Sequence, residues 1–211
     1  LTTRATGDPT HDAMRVAGFW QPRAQGATHR ILVGACLSFH ELGYHGASTR
    51  AIAQRAQLSP GTIYTHFANK EDLFFRIVLD SHAASLESLT QAVALGSDPA
   101  ERLRLFMAAY ASWHAEWSVI ARPVHHDLQV LTDDHFQKVV DVRRATIAVL
   151  DEILEAGIEQ GVFSIADLPG TRRLLMSACI DVCRWYVEGG ERSPSSIGLQ
   201  YSALALKFVG S

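Results

Sequence analysis

The sequence predicts an all-α chain, and three observations carry that prediction. Apolar residues recur at three- and four-residue spacing through most of its length. No stretch keeps the period of two that marks a half-buried strand. Start and stop signals punctuate the chain at Ser59-Pro60, Asp98-Pro99, Gly161, Leu168-Pro169-Gly170 and Gly189-Gly190. With 211 residues, 47% of them hydrophobic, there is material for a small domain joined to a larger one.

Taken in order, residues 1–27 mix Thr, Gly, Pro and Arg with weak periodicity and read as an N-terminal arm, most simply a solvated tail. Phe19 and Trp20 hint that part of it packs, and Arg15 or Arg23 could reach a DNA minor groove or backbone. A first helix is expected from about Thr28 to Leu42, with Ile31, Leu32, Ala35, Leu37 and Phe39 on its apolar side and Gly43 at its end. Ser48 is placed to cap a second helix whose apolar positions are Ile52, Ala53 and Ala56. After a turn at Gln57-Leu58, Ser59 caps a third, with Pro60 just inside its start, where a missing N–H costs nothing. This third helix is only about two turns long, too short to persist alone in water. Ile63 and Phe67 give it a narrow buried stripe, and Gly61, Thr62, Tyr64, Thr65 and His66, with Lys70 just beyond, form the opposite face. A scaffold that holds such a face outward is how a recognition helix meets a major groove.

A long helix should follow from near Lys70 towards Leu95, on a stripe of Leu73, Ile77, Leu86, Leu89 and Val93. Asp98-Pro99 opens the next, through Leu103, Phe106, Met107, Tyr110, Trp113 and Trp117, with a break expected near Arg122-Pro123. A shorter piece covers His125 to Leu131. Asp133 or Asp134 then opens a long helix stopped by Gly161. The last two helices are expected from Leu168-Pro169-Gly170 to Val187 and from about Ser195 to Val209.

The run from Ser48 to Lys70 resembles the DNA-binding domain of the TetR family of one-component transcriptional regulators. The resemblance spans residues 28–78 and rests on Ile31-Leu32, Phe39, Gly43-Tyr44, Ile52-Ala53, the run Gly61-Thr-Ile-Tyr-Thr-His-Phe67 and Lys70-Glu71. It implies that Ser48, Thr49 and Arg50 reach phosphates, with Arg50 near a base. Thr62 and Tyr64 would meet backbone or thymine methyl groups, Pro60 and Thr65 would touch bases, and His66 and Lys70 would grip phosphate. Gly61 would let the backbone come close. The family usually has glycine where this chain has Gln57, at a turn that needs positive φ; a side chain there costs on the order of 1 kcal/mol.

Charge agrees with that placement. Residues 22–78 hold six Arg and Lys against three Asp and Glu, a local balance of +3 within a chain of net charge −3, so the remainder sums to −6. Phosphate contacts need positive charge where the helix-turn-helix lies. The excess is modest and points to two half-sites read by a homodimer. The resemblance implies that residues 79–211 form a helical ligand-binding and dimerisation domain. Leu174, Leu175, Ala178, Val182 and Trp185 share one helix face, and Tyr201, Leu204, Ala205 and Phe208 share another. Pairing these across a two-fold axis would make a four-helix interface and require a near-palindromic double-stranded DNA operator.

An elongated apolar effector with a charged head would suit Phe106, Met107, Tyr110, Trp113 and Trp117, joined by Arg122, His125 and His126. The same aromatic spacing also fits plain core packing. Arg184-Trp185-Tyr186, Gly189-Gly190 and Tyr201 resemble the lipid- and sterol-catabolism branch of the family, which responds to acyl-CoA thioesters; an acyl-CoA is therefore the leading expectation. By the same resemblance, a ligand that fits only the DNA-incompatible arrangement would release the operator.

Two other classes compete. A metal-dependent enzyme would have to use His125, His126, Asp127 and His135, but adjacent helical histidines diverge by about 100° and no His-Glu-x-x-His pattern appears. A redox-responsive regulator would use Cys179 and Cys183, one helical turn apart, where a bridge is strained. No metal or cofactor is expected, nor any enzymatic activity. No apolar run approaches the roughly 18–20 residues that span a bilayer. The first residues lack a secretory pattern, and three cysteines without paired spacing point to a reducing cytoplasm.

Overall fold

The computed structural model describes residues 9–210, and among these every regular element is a helix. The elements are α1 (Pro9–Trp20), α2 (Gly26–Gly46), α3 (Thr49–Arg55), α4 (Pro60–His66), α5 (Lys70–Val93), α6 (Pro99–Glu116), α7 (Ser118–His126), α8 (Asp133–Glu159), α9 (Leu168–Trp185) and α10 (Pro194–Val209), with one 3₁₀ turn at Leu128–Val130. Two compact units result. One holds residues up to Ser81 with Val119–Val139; the other holds His82–Ser118 and Val140–Ser211.

The caps form where the sequence places them. Ser48, Ser59 and Asp98 accept from Ala51 N, Thr62 N and Glu101 N; Asp167 and Ser193, not anticipated as caps, do the same for α9 and α10. Gly43 adopts φ 70° and ends the regular part of α2, as its position predicts. Gln57 adopts φ 55°, the one non-glycine residue with positive φ among those described. Leu58 N reaches back to Ala53 O at 2.9 Å across it, which closes α3 in a left-handed cap. Gln57→Gly should therefore raise stability by roughly 0.5–1 kcal/mol in thermal unfolding; a lower midpoint would show that the Gln57 side chain contributes more than the strain costs.

Two expectations are corrected. The arm is no solvated tail over its described part. Val16, Phe19 and Trp20 recur at i, i+3 and i+4 along α1 and are buried against α2, where Trp20 Nε1 donates to Cys36 Sγ at 3.3 Å. Arg23 folds back onto Phe19, donating to its carbonyl at 2.6 Å and lying 4.3 Å over its ring. Residues 1–8 of the arm lie outside the described residues. The helix break expected near Arg122-Pro123 falls instead at Trp117, and Pro123 sits inside α7. A proline there forfeits one helical hydrogen bond, a cost this short, largely buried helix tolerates.

The second unit is built around α6, which packs against α9 and α10. Phe106, Met107, Tyr110, Leu150, Ile153, Leu175, Val182 and Ala205 belong to one buried cluster. Gly198 permits the approach of α10, because a Cβ there would lie 2.5 Å from the Ala108 carbonyl oxygen.

Candidate nucleic-acid interface

The α3–turn–α4 segment is held from beneath and open above. Ile52, Ala53 and Ile63 are fully buried and Phe67 nearly so, which fixes both helices on α2. Ser48, Arg50, Pro60, Gly61, Tyr64, Thr65 and His66 are exposed, and Thr49 and Thr62 are half-buried. Tyr64 is 55% exposed, so it is not a core aromatic. Its hydroxyl is 3.1 Å from Thr49 Oγ1, a bond that ties the start of α3 to the middle of α4 and sets the ring on the open face.

Small polar contacts orient the remaining groups. Thr65 Oγ1 donates to Thr62 O at 2.7 Å, which leaves its methyl and its oxygen lone pairs outward. Ser59 Oγ lies 2.8 Å from Thr62 Oγ1 and caps α4. His66 Nδ1 is 3.0 Å from Thr28 Oγ1. Thr28 was not anticipated as part of this face; a lone threonine at a helix start carries no spacing signal, and only the fold brings it to the end of α4.

The cations divide into engaged and open groups. Arg55 pairs with Glu41 at 2.6 Å. Lys70 Nζ donates to Tyr44 O at 2.8 Å and Ala47 O at 3.1 Å and lies 4.3 Å over the Tyr44 ring; partial burial lowers its pKa. Its charge therefore braces the α2–α3 connection as well as standing at the N-terminus of α5. Neither Arg50 nor Arg30 has a hydrogen-bond or ion-pair partner among the described residues, and both are exposed. The face thus offers hydroxyls, an imidazole and open guanidinium groups around a short helix, the chemistry that phosphates and base edges take.

The same unit clasps residues 119–139. Asp127, buried, accepts from Tyr44 N at 3.0 Å beside the Gly43 kink, and Glu71 accepts from Thr132 N at 3.0 Å. His135 lies 2.9 Å from Glu71 and stacks on Phe75 at 3.7 Å between ring centroids.

Of the residues expected around an effector, Phe106, Met107, Tyr110 and Trp113 are buried in the second unit and Trp117 is half-buried. Arg122, His125 and His126 fall in the helix-turn-helix unit. His126 is on the surface, its side chain 81% exposed and its Nδ1 2.8 Å from Asp127, so it lines no enclosed pocket. Of the expected dimer residues, Leu174, Trp185, Leu204 and Phe208 are large and exposed, as is Ala178, while Tyr201 is half-buried. Leu175, Val182 and Ala205 point into their own core and are unavailable to a partner; the helical face is turned by one position from the one expected.

Cys36, Cys179 and Cys183 are buried thiols, and Cys183 Sγ donates to the Ile180 carbonyl at 3.1 Å. Burial pushes the Cys36 thiol up to about 12 and raises that of Cys179, so neither is a ready thiolate. Among the described residues, no group of three or more His, Cys, Asp or Glu is placed to hold a metal ion, and no helix is long and apolar enough to cross a membrane.

Residues 31–77 match the family model described as bacterial regulatory proteins, tetR family, and residues 96–209 match that of the tetracyclin repressor-like C-terminal domain. A tetR-family regulatory protein from Rhodococcus RHA1 is 34% identical, with 89% of this chain and 98% of that one covered and a TM-score of 0.84. The HTH-type transcriptional repressor KstR2 of Mycobacterium tuberculosis is 27% identical over 181 residues, 83% of this chain and 89% of that protein. The transcriptional regulator FadR from Bacillus subtilis, solved with stearoyl-CoA, shares the fold at a TM-score of 0.70 and 22% identity, over 85% of this chain and 98% of that one.

Proposed function

Since the chain belongs to the tetR family of bacterial regulatory proteins, we propose that it is a transcriptional repressor that binds a near-palindromic operator as a homodimer. In this reading a small hydrophobic effector, an acyl-CoA, releases it. The observation that carries the DNA side is the open face of α4, with Tyr64, Thr65 and His66 exposed over buried Ile63 and Phe67. Thr65 and Pro60 meet bases, while Ser48, Thr49, Arg50, Thr62, Tyr64 and His66 hold the backbone. Gly61 admits close approach. Lys70 is the positioning cation, gripping phosphate from its seat on the Tyr44 and Ala47 carbonyls. Residues 28–78 serve as the DNA-binding domain and 79–211 as the effector and dimerisation domain.

Dimerisation uses the exposed strip of Leu174, Ala178 and Trp185 on α9 with Leu204 and Phe208 on α10. Five such positions in an otherwise mixed surface make the kind of patch that marks an interface. The acyl-CoA assignment is supported by the likeness to FadR from Bacillus subtilis, which was solved with stearoyl-CoA. Release follows if the effector fits only the arrangement that separates the two recognition helices.

The test is fluorescence anisotropy of labelled DNA from upstream of this protein's gene. CoA thioesters of increasing chain length are added to the bound complex, with free CoA as control. Release by one length class and not by CoA is the expected result. Complexes that no thioester disturbs would discard the acyl-CoA effector and leave the DNA-binding assignment standing.

A further inference from the structure

A trough of about 720 Å³ lies along α2, between α1 and the end of α3, within the unit that carries the helix-turn-helix. Small residues make the space. Ala13 and Ala17 line it from α1, Ala56 from α3, and Gly34 lies on the floor between them. Gly34 also lets α3 come close, since a Cβ there would lie 3.1 Å from the Ile52 carbonyl oxygen. Val33 and Leu37, half-buried on α2, leave apolar surface open on that floor. Both walls are tied to α2. His29 Nε2 donates to the Ala17 carbonyl at 3.0 Å, and Arg55 pairs with Glu41 at 2.6 Å. A volume of this size falls among small-molecule pockets.

The charges on the lining are not equally committed. Arg30 and Glu41 are separated by roughly 16 Å along the α2 axis. Glu41 is neutralised by Arg55, and Asp12, the other carboxylate on the lining, is engaged elsewhere in the chain. Arg30 is exposed and has neither hydrogen bond nor ion pair among the described residues. It is the charge left for a ligand to meet. Gln57 stands beside Ala56 on the α3 side, also exposed. Its φ of 55° is a conformation that glycine adopts at less cost. Strain of this kind is kept where the side chain serves a purpose, and an amide offers the trough both a donor and an acceptor.

We propose that this trough is a ligand site of the helix-turn-helix unit itself, for a small organic acid with an apolar body. Arg30 holds the carboxylate through a charge-assisted bond. The body lies on Val33, Gly34 and Leu37, and the Gln57 amide meets its polar edge. The site is independent of the acyl-CoA reading, whose Phe106, Met107 and Tyr110 lie in the other unit.

Calorimetric titration of the full-length protein tests the assignment. The probes are 2-naphthoate, cinnamate and octanoate, each beside its neutral amide. At least one acid should bind wild type about tenfold more tightly than its amide, the scale of one charge-assisted bond. Arg30→Gln should remove that preference and leave amide binding unchanged. Because Arg30 has no partner to lose, this variant should keep its thermal midpoint. Gln57→Gly should weaken acid and amide alike by about threefold, although relief of strain favours its fold. A residue with a purely structural role would not move stability and affinity in opposite directions. Acid binding that both variants retain in full would place the acid elsewhere and overturn the site. Failure of all three acids to bind wild type would overturn it as well, and neither result touches the acyl-CoA reading.

Discussion

Replacing Trp20 by alanine is expected to destabilise the chain by about 3–5 kcal/mol, the cost of emptying a fully buried aromatic site. For a chain of this length that lowers the thermal midpoint by roughly 10 °C. The indole is fully buried on α2, meets Phe19 edge-on at 5.0 Å and donates to Cys36 Sγ. Removing it opens a cavity against Cys36, so a second readout is available. The Cys36 thiol, inert in the wild type through burial, should begin to react with a bulky disulfide reagent. A midpoint shift of only ~2 °C with Cys36 still protected would show that α1 is not part of the core that supports α2.

The second large effect is functional and leaves stability alone. Gly61→Glu is expected to weaken DNA binding at least ~100-fold, about 3 kcal/mol over two half-sites. Gly61 is exposed at the second position of α4, and a Cβ there would meet nothing closer than Ser59 Oγ at 3.9 Å. Its φ is not positive, so any residue can occupy the backbone conformation. A carboxylate in the first turn even suits the helix dipole. Bulk and negative charge then fall on the face proposed to approach phosphates. Undiminished affinity would remove the Gly61 side of α4 from the interface; a collapsed thermal midpoint would mean that the glycine serves the fold.

Much of this was legible in the sequence because it is local. Ser48, Ser59, Asp98 and Gly43 act within a few residues of themselves, so caps and stops could be placed from spacing alone. Gln57 could be flagged through resemblance, and its φ of 55° is the conformation the family's usual glycine implies. The inward stripe of Ile52, Ile63 and Phe67 followed from helical periodicity. Long-range features were harder. Val16, Phe19 and Trp20 make a stripe too short to distinguish a docked helix from a tail with a few apolar residues. Pro123 misplaced a helix break because its neighbours, not its ring, decide whether a short helix continues. On α9 and α10 an apolar residue can face its own core or a partner, and periodicity gives the stripe without the direction. That is why Leu175, Val182 and Ala205 separate from Leu174, Trp185 and Phe208 only in three dimensions.

The central claim is that two copies of this chain read DNA through the open face of α4. Its most direct test is a stoichiometric titration of a labelled two-fold-symmetric duplex, drawn from the DNA upstream of the gene, with wild type and Gly61→Glu at several salt concentrations. The account predicts saturation at two chains per duplex, affinity that falls steeply with salt, and loss of binding in the variant. Saturation at one chain per duplex, or binding that ignores both salt and the substitution, would contradict it.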